Sequence, residues 1–245
     1  MPVLWANNIT KKYGGRTIIE NISLKLNAGE LVCLLGVSGI GKSTLFGVLS
    51  GLVTPESGSV ILCGEDITGK PGHIGYMQQK DLLLPYKTVM NNVCLPLIIR
   101  GMKKKEAREK ANPLFKTFGL DGNQDKYPVQ LSGGMRQRAA LLRTYLFGGK
   151  AALLDEPFSA LDAITKSAMH RFYLDIMEKI KLPTIFITHD IDEAILISDR
   201  IYIMSGPPGR ISSEIVISEK KPRSADFSVS NEFLDYKKEI IRKLN

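Results

Sequence analysis

The segment Gly36-Val37-Ser38-Gly39-Ile40-Gly41-Lys42-Ser43 constrains this chain more than any other part of its sequence. It follows an apolar run, residues 31–35, which is typical of a strand buried on both faces of a parallel sheet. Apolar residues at helical spacing come after it, so the segment joins a strand to a helix. Backbone N–H groups of such a glycine-rich loop turn inward around an anion, and the helix N-terminus adds its dipole. The sequence therefore predicts a loop that holds phosphate groups.

The residues of this loop have distinct expected roles. Lys42 is expected to reach the β- and γ-phosphates of ATP, and Ser43 is expected to ligate Mg²⁺. The residues predicted to bind the nucleotide here are Gly36, Ser38, Gly39, Gly41, Lys42, Ser43 and Thr44. The alternative is a glycine-rich turn that carries a lysine by chance, and the strand and helix around the motif argue against it.

A second apolar run, residues 151–154, ends at Asp155-Glu156. An aspartate at the end of a parallel strand lies at the carboxyl edge of the sheet, where the phosphate-binding loop also lies. Asp155 is therefore predicted to hold Mg²⁺, and Glu156 to polarise the attacking water as a general base. The alternative is an acidic pair that merely starts a helix, where the helix dipole favours negative charge.

The remaining patterns predict an α/β fold. Residues 184–188 and 201–204 read as further buried strands separated by helices. Residues 1–30 and 57–63 alternate apolar and polar side chains, which is typical of antiparallel strands with one solvated face. We predict one domain, 1–245, with a P-loop NTPase core (about 1–84 and 150–218) that includes an antiparallel β subdomain, an inserted α-helical subdomain (about 85–149) and a C-terminal helical extension (about 219–245).

Composition excludes several classes of protein. With 44% hydrophobic and 24% charged residues, the 245-residue chain is globular rather than disordered. No apolar run approaches the ~18–20 residues needed to cross a bilayer, and the start has no secretory signal. Three separated cysteines argue against a disulfide scaffold or a zinc site and favour a reducing cytoplasm. The charge of +8 suits nucleic acid, anionic lipid or a nucleotide and does not choose among them.

The segment Leu131-Ser132-Gly133-Gly134-Met135-Arg136-Gln137-Arg138 resembles the signature motif of the ATP-binding-cassette (ABC) ATPases. Ser132 suits a helix N-cap, and Gly133 and Gly134 allow backbone to approach an anion. The resemblance implies that this motif contacts ATP bound by a second subunit, and hence a head-to-tail homodimer that encloses two ATP molecules. Met135 replaces the usual glutamine and removes one amide donor near the ribose.

Four more positions resemble motifs of this family. Tyr13 resembles the aromatic residue that stacks on adenine, with a surface tyrosine as the alternative. Gln79 resembles the glutamine that senses Mg²⁺ and the attacking water, with Gln78 as the competing assignment. Asp162, in Ser159-Ala160-Leu161-Asp162, resembles a loop that crosses the dimer interface and is assigned to nucleotide binding. His189, which follows a buried strand, resembles the histidine that reaches the γ-phosphate.

Three sequence segments narrow the resemblance to the importers of nitrate, sulfonates and taurine. This group also includes transporters of a pyrimidine precursor of thiamine. The matching segments are 82–89, 155–165 and 205–211, although this group often has tryptophan where Tyr86 stands. The resemblance implies an ATPase at the cytoplasmic face of the membrane that binds separate permease subunits. It also implies an extracytoplasmic solute-binding protein as an indirect partner. The alternative is a soluble ABC ATPase that acts on nucleic acid, but aromatic–basic alternation is absent, so we expect no nucleic-acid partner.

A permease helix is expected to dock beside the Gln79 segment. Leu83, Leu84, Tyr86, Val89 and Val93 are predicted to contribute to that surface, with ordinary core as the alternative for each. The run Lys103-Lys104-Lys105 reads as a solvated helix face, with anionic lipid as the alternative partner. The cargo never touches this subunit, so the sequence does not identify it.

Overall fold

The computed structural model describes residues 1–159, 161–221 and 223–244. The strands in these ranges are β1 (Leu4–Tyr13), β2 (Arg16–Leu26), β3 (Leu31–Gly36), β4 (Ser57–Leu62), β5 (Glu65–Asp66), β6 (Gly75–Met77), β7 (Ala152–Asp155), β8 (Thr184–Thr188), β9 (Arg200–Ser205) and β10 (Arg210–Val216). The α-helices are α1 (Lys42–Leu49), α2 (Val89–Val93), α3 (Leu95–Ile99), α4 (Lys104–Thr117), α5 (Gly133–Leu146), α6 (Ala163–Ile180), α7 (Ile191–Ile197) and α8 (Asn231–Leu244). This alternation of strands and helices confirms the predicted α/β class.

The described chain divides into two compact units. The first consists of residues 1–74 and 150–156 and the described residues from 181 onward. The second consists of residues 75–149 and the described residues of 157–180. The predicted subdomain limits near 85 and 149 stay a prediction, since the second unit begins at Gly75 and also contains α6.

An antiparallel sheet in the first unit has the strand order β2-β1-β4-β5. Leu4, Ala6 and Ile9 of β1 are fully buried, while residues between them reach the surface, which is the alternation expected of a sheet with one solvated face. Gly14 and Gly15 join β1 to β2 with φ angles of 55° and 78°. Two consecutive positive φ angles are what a tight hairpin turn with the right-handed twist requires.

The second sheet places the ends of several strands at one edge. Within the first unit its strands lie in the order β10-β9-β3-β8-β7, and the pairs from β9 to β7 are parallel. All six residues of β3 are buried. Leu35 of β3 pairs with Thr188 of β8, and Asp155 of β7 pairs with Ile187. The residues that follow these three strands therefore emerge side by side, at the carboxyl edge where α/β proteins bind ligands.

The second unit is mostly helical, and α2 packs against α4 and α5. Val89 and Val93 of α2 are 0% exposed. The prediction that these two residues contribute to a docking surface is therefore wrong, because the apolar face of α2 packs in the core of this unit. Tyr86, which precedes α2, is 71% exposed and remains accessible to a partner.

The C-terminal helix α8 packs on α7 and β9, and its residues Phe233 and Ile240 are buried. This is the amphipathic pattern of a surface helix. Among the helices of the described ranges, none is both long enough and apolar enough to cross a membrane.

Candidate active site

The loop between β3 and α1 depends on glycine at two positions. Gly39 and Gly41 have φ angles of 81° and 107°, in the left-handed region that glycine enters without strain. A Cβ atom on Gly41 would lie 2.5 Å from Cγ2 of Ile19, so this position also requires the absence of a side chain. Gly41 is the N-cap of α1, and its carbonyl accepts the first helical hydrogen bond, from Leu45 N at 2.9 Å. By helix geometry, the N–H groups before Leu45 point out of the helix end, toward an incoming anion.

The change Gly41→Ala is expected to weaken ATP binding by about tenfold or more and to cost about 1–3 kcal/mol of folding stability. The added methyl group must move either Ile19 or the loop, and the loop is the part that is predicted to hold phosphate. Fluorescence titration with an ATP analogue and thermal unfolding measure the two effects.

Gly64→Ala is the matched control for that change. Gly64 has a φ of 88°, but a Cβ there would meet nothing within 4 Å. It carries the backbone strain without the steric conflict, so we expect a small loss of stability and unchanged ATP affinity. Equal ATP affinities for the wild type and Gly41→Ala would refute the proposed role of this glycine.

A cavity of about 240 Å³ lies against this loop. Its lining residues are Ile18, Ser38, Gly39, Gly41, Lys42, Ser43, Thr44 and Glu156. The cavity thus joins the predicted phosphate-binding residues to the predicted general base. Ile18 on β2 was not predicted, because an apolar residue in a strand carries no sequence signal for ligand contact. Gly36, also predicted to bind the nucleotide, is not among the lining residues, and a Cβ on it would be only 2.7 Å from the Met204 carbonyl oxygen.

Lys42 is buried, with 6% of its surface exposed. Its Nζ donates hydrogen bonds to the carbonyls of Gly36 at 2.8 Å and Val37 at 3.0 Å. Burial lowers the pKa of Lys42, and the negative charges of Glu156 and Asp155 partly oppose that shift. A phosphate group in the cavity would add negative charge beside this ammonium and stabilise its charged form.

The acidic residues at the carboxyl edge lie where the sequence predicted them. Asp155 ends β7 and is 8% exposed. Glu156 has a φ of 44°, and its backbone N–H donates to the Ile187 carbonyl at 3.0 Å, which fixes the turn after the strand. The Glu156 Oε2 lies 3.2 Å from Nδ1 of His189, the residue that follows β8. The parallel register therefore brings the predicted base and the predicted histidine into direct contact.

Tyr13 lies at the tip of the β1–β2 hairpin and is 50% exposed. The Nζ of Lys11 lies 5.1 Å from the centroid of its ring, a cation–π contact. Tyr13 does not line the 240 Å³ cavity, and its predicted stacking on adenine stays a prediction.

In the second unit, Ser132 caps α5 by accepting a hydrogen bond from Met135 N at 3.3 Å. Gly133 and Gly134 form the first turn of this helix, so the motif presents a capped helix N-terminus, as predicted from the residue types. Gln79 donates from Nε2 to the Ser159 hydroxyl at 3.3 Å. The nucleotide contacts assigned to these residues stay predictions.

Asp162 stands just before α6, and its carboxylate binds Thr165 twice, accepting from the backbone N at 3.0 Å and from the hydroxyl at 2.6 Å. Both hydrogen bonds lower the pKa of Asp162, and the bond from the Thr165 hydroxyl has the larger effect. The carboxylate therefore caps a helix, and its assignment to the nucleotide stays a prediction. Ala160, in the same predicted loop, lies outside the described residues.

Two arginines of α5 hold the segment that follows Gln79, a role that was not predicted for them. Arg143 donates to the carbonyls of Leu82 at 2.8 Å and Asp81 at 2.5 Å, and Arg136 Nε lies 3.2 Å from the Asp81 carboxylate. Leu82 has a φ of 47° and is 49% exposed. The helix that begins with the signature motif thus fixes the backbone of the predicted docking segment within the same unit.

Known proteins are similar to this chain over most of its length. Residues 19–159 match the ABC transporter family. The formylaminopyrimidine import ATP-binding protein ThiZ of Halalkalibacterium halodurans is 46% identical over 191 residues, 78% of this chain and 74% of that protein. The nitrate import ATP-binding protein NrtD of Synechocystis sp. is 37% identical over 235 residues, 94% of this chain and 88% of that protein.

The fold is also similar to that of a solved ATP-binding cassette. The ATP-binding cassette MJ0796, in a dimeric post-hydrolysis state bound to ADP and Pi, has a TM-score of 0.75 and 28% identity, covering 89% of this chain and 100% of that chain. The family match spans more than half of the chain, and the two sequence relatives exceed 30% identity over most of it. The resemblance seen in the motifs is confirmed, and the chain belongs to the ABC transporter family.

Proposed function

We propose that this chain is the ATP-hydrolysing subunit of an importer that moves a small solute through separate permease subunits. The observation that carries the proposal is one cavity lined by Lys42, Ser43 and Glu156, with His189 against Glu156. Hydrolysis of ATP needs a cation for the phosphates, a hydroxyl for the metal and a base for water. The ATP-binding import proteins among the relatives support the transport role.

The residues of the cavity divide the reaction among them. Lys42 and the N-terminal turn of α1 bind the β- and γ-phosphates. Glu156 accepts a proton from the water that attacks the γ-phosphorus, and the bond to the β–γ bridging oxygen breaks to leave ADP and phosphate. His189, in contact with Glu156, steadies the γ-phosphate as negative charge shifts toward the bridging oxygen.

The donor set suits Mg²⁺. Within the described ranges, no group of three or more His, Cys, Asp and Glu residues is arranged to hold a metal. Mg²⁺ usually takes one or two protein oxygens together with phosphate oxygens and water. Ser43 and Asp155 would hold the ion, which supplies positive charge that offsets the charge of the phosphates. The assignment of Gln79 to this ion stays a prediction.

The second unit completes the site of another copy. We assign Ser132, Gly133 and Gly134 to the γ-phosphate of ATP held by the loop of a second chain, with Asp162 at that interface. Tyr13 stacks on the adenine of its own nucleotide. Two ATP molecules then join a head-to-tail homodimer, an arrangement supported by the dimeric state of the cassette MJ0796. Hydrolysis removes the link between the copies, and the dimer opens.

The permease docks on the exposed side chains next to Gln79. Leu82 is 49% and Tyr86 71% exposed, and Arg143 holds the backbone of this segment to α5. Docking places the chain at the cytoplasmic face of the membrane, and a solute-binding protein outside the cell delivers the cargo to the permease. The cargo belongs to the nitrate, sulfonate or taurine, or thiamine-precursor type.

The transport role is tested by purifying the tagged chain from detergent-solubilised membranes of its own cells. We expect an integral-membrane permease, encoded by a neighbouring gene, to co-purify and to persist after a high-salt wash, and the complex to hydrolyse ATP only with Mg²⁺. Purification from the soluble fraction without a permease, together with ATPase activity stimulated by DNA or RNA, would overturn the transport role and favour a nucleic-acid ATPase.

A further inference from the structure

His189 occupies a turn whose two flanking residues both form hydrogen bonds with one buried residue, Glu193. Thr188 is the last residue of β8, and Asp190 is the N-cap of α7. Glu193, in the first turn of α7, is only 4% exposed. The Thr188 hydroxyl donates to Glu193 Oε2, and the Glu193 backbone N–H donates to Asp190 Oδ1 at 3.1 Å. One residue therefore bonds to both neighbours of His189.

The Thr188 hydroxyl links the backbone of Asp190 to the carboxylate of Glu193. It accepts a hydrogen bond from Asp190 N at 3.0 Å, so its single proton is available for the Glu193 carboxylate. In an ordinary capping box, a glutamate at this helix position accepts the N-cap N–H directly. Here the hydroxyl stands between them, so the contact ties the end of β8 to the helix as well.

A carboxylate at this depth must be held by hydrogen bonds. Burying a carboxylate is costly, and an apolar side chain would fill the same space more cheaply. The carboxylate also lies near Cys33, a buried residue of β3. Burial raises the pKa of the Cys33 thiol, and the negative charge of Glu193 raises it further. Unlike an apolar side chain, the carboxylate accepts a hydrogen bond from Thr188 and so fixes the geometry of the turn that contains His189.

We propose that Glu193 is a positioning residue for ATP hydrolysis, which holds the turn 188–190 so that His189 Nδ1 stays in contact with Glu156 Oε2. Glu193 is not among the residues that line the cavity, and it acts through Thr188 and Asp190. This inference rests on the proposed function, because it concerns the same hydrolysis site.

The test compares Thr188→Val, which removes only the hydroxyl, with Thr188→Ser, which keeps it. We expect Thr188→Val to lower kcat for ATP about tenfold or more while its Kd for a fluorescent ATP analogue stays within about twofold of the wild type. Thr188→Ser is expected to retain kcat within about twofold. Glu193→Gln, which keeps an acceptor oxygen but loses the charge, is expected to fall between them.

The matched control is Ser198→Ala at the other end of α7, which removes a buried hydroxyl bonded to the Ala194 carbonyl at 2.6 Å. It is expected to keep kcat. A Thr188→Val kcat equal to the wild type, or a parallel loss of kcat in Ser198→Ala, would overturn the inference.

A crystal structure of Thr188→Val provides a readout that does not depend on activity. We expect the distance from His189 Nδ1 to Glu156 Oε2 to exceed hydrogen-bonding range, and an unchanged distance would overturn the inference. If the wild type fails to hydrolyse ATP, the proposed function fails, and this distance still decides the role of Glu193. A Thr188→Val variant that does not fold is replaced by Glu193→Gln in both measurements.

Discussion

Glu156→Gln is expected to lower ATP turnover by about 10²–10⁴-fold, the range that a lost general base accounts for. Glutamine cannot take a proton from the attacking water, but it has the same shape and can still bond to His189. The phosphate-binding loop is unaltered, so the Kd for ATP should stay within about threefold of the wild type. Steady-state phosphate release and equilibrium titration of nucleotide measure the two quantities.

The same variant tests the proposed dimer. Because ATP links the copies and hydrolysis releases them, Glu156→Gln with ATP and Mg²⁺ should accumulate as a dimer in light scattering, and the wild type should not. Glu65→Gln, an exposed change on β5, is the control and should match the wild type. If Glu156→Gln turns over ATP at the wild-type rate, Glu156 is not the base; a purely monomeric profile would remove the shared-site arrangement.

Much of the fold was predictable because its strands carry a strong local signal. The apolar runs 31–35 and 184–188, which were predicted to be buried strands, are strands of the parallel sheet. The placement of Asp155, Glu156 and His189 at the carboxyl edge followed from topology, since parallel neighbours end at the same edge. The role of His189 came from the family resemblance. Contact between Glu156 and His189 is the direct outcome of the pairing of β7 with β8.

What the sequence did not predict depends on long-range contacts. Arg143 binds the backbone of residues 61 and 62 positions away, and a backbone carbonyl leaves no trace in the sequence. The burial of Val89 and Val93 was open for a related reason, because an apolar helix face fits a core or a partner equally well. Only the packing of the second unit decides between the two.

Backbone strain at the site was equally hidden. Glu156 and Leu82 have φ angles of 44° and 47°, which nothing short of the folded structure reveals for residues other than glycine. At Glu156, the hydrogen bond to the Ile187 carbonyl holds the turn in this conformation. Such strain is kept where the surrounding structure imposes it, often at functional sites. It directs the Glu156 carboxylate to the cavity that Lys42 also lines.

Lys42→Ala should weaken ATP binding by about 10²-fold or more, because it removes the one buried cation that lines the described cavity. A charge-assisted contact to phosphate in a partly desolvated site contributes about 1.5–3 kcal/mol, and the change also removes the bonds that hold Gly36 and Val37. Turnover should fall with affinity, since the same ammonium offsets charge during hydrolysis. Isothermal titration with ATP at constant Mg²⁺ measures the affinity.

Lys70→Ala is the matched control, because the exposed Lys70 also donates to a backbone carbonyl, that of Asp66 at 2.9 Å, but lies outside the cavity lining. It should bind ATP as the wild type does. Lys42→Arg separates charge from shape: it keeps the positive charge, but a planar guanidinium does not fit a position built for a compact ammonium, so affinity should still fall. If Lys42→Ala binds ATP as tightly as Lys70→Ala, the phosphates lie elsewhere, and the assignment of the loop between β3 and α1 as the nucleotide site is wrong.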